Sequence, residues 1–125
     1  MLKNQTNKGF TLIEVLIAVF LLTVALLGTA ALTTTVIRGN FFSQASTTAT
    51  TLAKDKIEEL KARGFTDTLF TSGGTDSWNA AGTASGSYYT RTWTVTGTDP
   101  KTITVTVTRP GGTDVVLNTI RTSDS

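Results

Sequence analysis

The chain has 125 residues, 11 basic and 9 acidic side chains, and no cysteine or histidine. That length suits one domain. The composition excludes thiolate catalysis, zinc sites of the usual ligand types and histidine general bases, and the charge balance gives no polyelectrolyte signal for nucleic acid.

The N-terminus reads as a short basic leader followed by a membrane segment. Residues 1–9 contain Lys3 and Lys8 and no acid. Residues 10–32 form a largely apolar stretch whose single charge is Glu14. A helix of that length covers ~35 Å at ~1.5 Å per residue, enough to cross a bilayer. The basic leader places the N-terminus in the cytoplasm and the remainder outside. The small residues of "VALLGTAAL" leave ordinary signal cleavage near Ala30 or Ala31 as an alternative.

The junction between leader and span is unusual. Gly9 has no side chain, so its backbone can lie extended. Glu14 is four residues beyond Phe10, one helical turn, at the end of a helix that favours negative charge. A carboxylate at the bilayer centre costs ~2.5–3.5 kcal/mol on insertion scales, and less near the interface. An amine partner would offset the remainder; pairing with its own terminus or snorkelling to the headgroups is the simpler alternative.

The stretch "KGFTLIEVLIAVFLL", with Lys8, Gly9, Phe10, Thr11, Leu12, Ile13 and Glu14 in fixed order against an apolar helix, resembles the N-terminal signature of type IV pilins and type II secretion pseudopilins. The resemblance implies that a prepilin peptidase cuts between Gly9 and Phe10, and that Phe10 becomes an N-methylated N-terminus. It also implies that Glu14 pairs with the Phe10 amine of a neighbouring subunit during assembly. The implied partners are other major and minor pilins or pseudopilins, an inner-membrane assembly platform and the lipid bilayer. The implied location is the inner membrane, single-pass with the head periplasmic, then a pilus or pseudopilus. No cofactor, metal or catalytic residue is implied.

Beyond the span, Ala45, Ala49, Leu52, Ala53, Ile57 and Leu60 recur at spacings of three and four, predicting an amphipathic continuation of the helix over 33–64. Lys54 and Glu58 form an i, i+4 pair on its wet side. Arg63 and Gly64 close it, while Gly28 and "RGN" at 38–40 are places for a kink or break. Residues 66–87, rich in Gly, Ser, Thr and Asp, read as a long surface loop with Trp78 covering the edge of the core.

Residues 65–125 then form a globular head of loop and sheet. "YYTRTWTVTG" places Tyr89, Trp93 and Val95 on one face, and "KTITVTVTR" places Ile103, Val105 and Val107 opposite a threonine face. "VVLNTIRT" is a third strand, and "GTDP" and "PGGTD" are turns. The expected fold is α+β: a long N-terminal helix, membrane-spanning first and amphipathic second, packed on a three- to four-stranded antiparallel sheet. Helix on antiparallel sheet is also the pilin head fold.

Within that superfamily the phrases "LLGTAAL", "TTLAKDKIEELKARG", "TWTVTGTDPKTITVTV" and "TIRT" resemble minor pilins of the type IV pilus modification protein V family. The chain lacks the C-terminal disulfide loop of many major pilins and has Ala31 where many carry a kinking proline, which points to a minor subunit or a pseudopilin.

Two other function classes compete. For an enzyme, Asp67, Asp76, Asp99, Asp114 and Asp124 read as solvated turn or terminal residues, with no paired carboxylates on a strand face. For an adhesin or DNA-binding tip module, Arg91, Lys101, Arg109 and Arg121 at strand ends, with Tyr88, Tyr89 and Trp93 for stacking, would be the site. Removing Lys3 and Lys8 with the leader leaves nine basic against nine acidic side chains, which disfavours DNA.

Overall fold

The computed structural model describes residues 8–84 and 86–124, so most of the leader, Lys3 included, lies outside the described residues. A 51-residue helix, α1 (Leu12–Ala62), is followed by a single turn, α2 (Thr68–Thr71). Four strands complete the fold: β1 (Gly74–Trp78), β2 (Tyr89–Thr96), β3 (Lys101–Thr108) and β4 (Val115–Arg121). They form one antiparallel sheet in the order β1-β2-β3-β4. The chain divides into two compact units, one ending at Gly39 and one beginning at Asn40.

The second unit is a helix on a sheet. Ala45, Ala49 and Ala53 recur every four residues along the buried side of α1, and their small side chains let the helix backbone approach the strands. Leu52, Ile57 and Leu60 flank that row. Opposite them lie Phe70, Tyr89, Ile103, Val105 and Val107, all buried. Burying a residue such as Leu52 or Leu60 contributes ~2 kcal/mol, and this packing holds α1 to the sheet. On β2 and β3 every outward residue is threonine, the β-branched polar side chain suited to a wet pleated face. At the β2–β3 turn Gly97 has φ +89°, where L side chains are strained.

The segment expected to be a plain loop over 66–87 contains α2 and a fourth strand. The sequence of β1, Gly-Thr-Asp-Ser-Trp, has weak strand propensity, and its pairing is imposed from outside. Asp76 lies opposite Arg91 and pairs with it, and Trp78 packs against the core. Asp76 is therefore a strand residue rather than a turn residue. The wet side of α1 also differs from expectation. Among the described residues no ion pair joins Lys54 and Glu58; Glu59 instead pairs with Lys56 and Arg63 at 3.0 and 2.9 Å. Lys56 is drawn inward, with its ammonium 3.7 Å from the Trp93 ring centre. Helical structure continues through Gly28 and Arg38–Asn40 without a break.

Candidate functional site

Gly9 and Phe10 precede the helix, and both are exposed. A side chain on Gly9 would meet nothing within 4 Å, so neither packing nor backbone conformation calls for glycine there. Thr11 is the residue before the first helical position, and its hydroxyl accepts a hydrogen bond from the Glu14 amide at 3.3 Å. Thr11 is thus the N-cap and Glu14 the third helical residue, the Thr-x-x-Glu spacing of a capping box. The exposed Glu14 side chain lies in the helix's first turn, near the positive end of its dipole. Phe10, Glu14, Val15, Ala18, Val19 and Leu22 line one shallow, almost wholly apolar groove. Sequence reasoning placed Glu14 near the helix start but passed over Thr11, although the 11–14 spacing carries the signal.

The helix beyond Glu14 is long and apolar enough to cross a membrane, and the apolar window contains no buried residue. Leu16, Phe20, Leu21, Leu26 and Leu27 are each more than half exposed. The threonines in this stretch do not spoil it. Thr23 donates to the Val19 carbonyl and Thr29 to the Ala25 carbonyl, both at 2.8 Å. Each hydroxyl is satisfied within the helix, which removes the cost of an unpaired polar group in lipid. Thr33, Thr34 and Thr35 repeat the pattern.

The basic residues proposed for a binding patch face inward instead. Arg91, Lys101 and Arg109 are buried. Arg91 donates to the Leu52 carbonyl at 2.9 Å and Lys101 to the Phe65 carbonyl at 2.7 Å. Arg109 reaches the Phe42 carbonyl at 3.3 Å and the Ser46 hydroxyl at 3.0 Å. Arg121 donates to the Arg63 carbonyl at 2.7 Å and the Leu60 carbonyl at 3.4 Å. The Leu60 carbonyl lies in the last turn of α1 and the Arg63 carbonyl just beyond it, at the helix end where cations are favoured. Aromatic faces complete the seats: Arg91 lies over Trp78, Lys101 over Phe65, Arg109 over Phe42 and Arg121 over Phe70, at 4.2–4.9 Å. Tyr89 is buried, with its hydroxyl on the Ala45 carbonyl at 3.3 Å. These side chains clamp helix to sheet and make no surface platform for bases. Strand parity would have found them, since 91, 101, 109 and 121 share the odd numbering of the dry face.

The carboxylates are also engaged structurally. Asp76 accepts from Arg91 and from the Trp78 indole, and Asp99 accepts from the Ser123 amide and hydroxyl. The Arg63 hydrogen bond, then that of Lys56, holds the Glu59 carboxyl below the ordinary carboxylate range.

Residues 4–30 match the family described as the prokaryotic N-terminal methylation motif. No curated protein and no solved structure matches the chain. The matched motif marks structural subunits and implies processing by a prepilin peptidase and assembly with other pilins. The motif and the apolar helix fit membrane anchoring. Together they support placing the chain in the type IV pilin-like superfamily, as a pilin or pseudopilin.

Proposed function

We propose that this chain is a minor pilin that joins or primes a type IV pilus. Residues 1–9 are the leader, 10–32 the membrane and filament-core helix, 33–64 its amphipathic continuation and 65–125 the head. Prepilin peptidase cuts between Gly9 and Phe10, and the new Phe10 amine is methylated. Glu14 then pairs with the Phe10 amine of a neighbouring subunit and sets the register of addition. The observation that carries this reading is the position of Glu14: an exposed acid in the first helical turn, in one groove with Phe10, at the head of an unburied apolar helix. The absence of cysteine, hence of a C-terminal disulfide loop, and the presence of Ala31 support a minor rather than a major subunit.

Glu14 also has a local role available, because a capping-box acid can reach back to the amide of its own N-cap. Two substitutions separate the roles. Glutamine preserves a capping box, so if capping is the whole role, Glu14→Gln assembles like wild type. If charge pairing is the role, Glu14→Gln falls and Glu14→Val falls further, since a buried amine loses its partner at a cost of ~3–5 kcal/mol. Insertion and cleavage after Gly9 should persist in both variants. Sheared filaments and membranes from cells with wild-type partners are compared for subunit content, and intact mass gives the processing site. Equal incorporation of wild type and Glu14→Val would refute the assembly role; a mature N-terminus other than Phe10 would refute the processing.

A further inference from the structure

The last turns of α1, the approach to β1 and the middle of β2 form a cleft of ~240 Å³, lined by Lys56, Glu59, Arg63, Ser72, Gly73 and Trp93. Its walls are rich in hydrogen-bond donors. Lys56 is buried, with its ammonium 3.7 Å from the centre of the Trp93 ring and 3.0 Å from one Glu59 oxygen. Arg63 gives a terminal nitrogen to the other Glu59 oxygen at 2.9 Å. Two further donors are idle. The Trp93 indole N–H and the Arg63 Nε–H are shut from solvent, and neither meets an acceptor among the described residues. A buried donor without a partner is destabilising, so both favour an incoming acceptor.

Glu59 does not serve them. It makes one bond to each cation, rather than the two-bond grip that an oxyanion can take on a guanidinium edge. Its side chain is 43% exposed and can turn into water. Once it does, the cleft presents two positive charges and four donor nitrogens: Lys56 Nζ, two nitrogens of Arg63 and Trp93 Nε1.

We propose that this cleft is an oxyanion site for a phosphate group, which replaces the Glu59 carboxylate on Lys56 and Arg63 and also engages the two idle N–H donors. Phosphate suits the site in charge and in shape. It carries about two negative charges near neutral pH, against two cations. Its tetrahedral oxygens diverge toward several donors, whereas a carboxylate offers two oxygens in one plane, and the arginine fork is suited to gripping it. Glu59 is then a built-in competitor that keeps the cations paired when no phosphate is bound. All these residues belong to the unit that begins at Asn40, and the site is independent of leader removal and filament assembly.

Equilibrium dialysis of the detergent-solubilised full chain against labelled inorganic phosphate, at neutral pH and constant ionic strength, tests this. Wild type should retain one equivalent, and acetate should not displace it. Arg63→Gln removes a charge and the guanidinium edge, and should weaken binding about tenfold or more. Trp93→Phe removes one donor and should weaken it about fivefold. Glu59→Gln should instead tighten binding, by up to about fivefold, because an exposed ion pair no longer has to be broken. A residue that only held the cleft together would have the opposite effect when replaced. Tryptophan emission and protease resistance show which variants are folded, and Arg63→Gln and Glu59→Gln decide the matter by themselves if Trp93→Phe is not. Competition by glycerol 3-phosphate assigns the source as an esterified phosphate such as a lipid headgroup; its failure to compete assigns free phosphate. The proposal is overturned if wild type retains no phosphate or yields it to acetate. It is equally overturned if Arg63→Gln binds as tightly as wild type, or if Glu59→Gln binds more weakly.

Discussion

Removing Asp76 should destabilise the head more than removing Arg91, although Arg91 makes more contacts. Arg91 is 4% exposed and gives its Nε and one terminal nitrogen to Asp76, leaving the Leu52 carbonyl as its other partner. Asp76→Ala strands a buried guanidinium, a change that costs ~3–5 kcal/mol. Arg91→Met keeps the volume of the stem and loses the bond to Leu52, but the acid left behind is 32% exposed and retains the Trp78 indole as a donor. Water can reach it, so the cost is ~1–3 kcal/mol. The double variant removes both charges and should be more stable than Asp76→Ala alone, a coupling of ~2 kcal/mol. Denaturant unfolding of the detergent-solubilised chain measures this. Both tryptophans, Trp78 and Trp93, lie in the sheet, so fluorescence reports the head. Additive effects in the double variant, or Arg91→Met worse than Asp76→Ala, would show that the pair is solvated and the dry-face account wrong.

Leu52→Asp places a carboxylate where the side chain is 3% exposed, and should leave the head unfolded, with tryptophan emission shifted to that of the denatured chain. Unchanged emission and protease resistance would contradict the helix-on-sheet core. Glu59→Gln tests the pH dependence: a carboxyl held low in the folded state contributes stability above its unfolded value of ~4.3 and loses it as the pH falls through the lower folded value. The wild type should therefore lead the variant at neutral pH by less than ~1 kcal/mol, since the glutamate is exposed, and the lead should vanish in acid. Gly74→Ala would push a methyl group into the Trp93 ring, so it should cost ~1–3 kcal/mol and alter the native emission spectrum; an unchanged spectrum would mean the ring is not held there.

Helix, meander and core stripe were legible because each rests on local periodicity. The six apolar positions from Ala45 to Leu60 are all buried, and Ile103, Val105 and Val107 face them. β1 was not legible, because Gly-Thr-Asp-Ser lacks strand propensity and its partner Arg91 lies 15 residues away. The inward cations were misread for a different reason. Charge suggests surface, whereas long stems can pass through an apolar layer and deliver their heads to backbone carbonyls beyond it. At the N-terminal site, the order Gly9, Phe10, Glu14 could be read directly, but Thr11 acquires its meaning only once the helix start is known.

The clamp of cations on α1 also bears on the order in which the head can form. Arg121, at the end of β4, holds carbonyls at Leu60 and Arg63, and Arg109 holds Phe42 and Ser46 more than sixty residues upstream. As a chain emerges N-terminus first, the stripe from Ala45 to Leu60 is made well before the strands that cover it. Contacts of such long sequence separation carry a large loop-closure cost and form late. The final turn of α1 therefore stays unsealed, and its greasy stripe stays open, until β4 has been delivered.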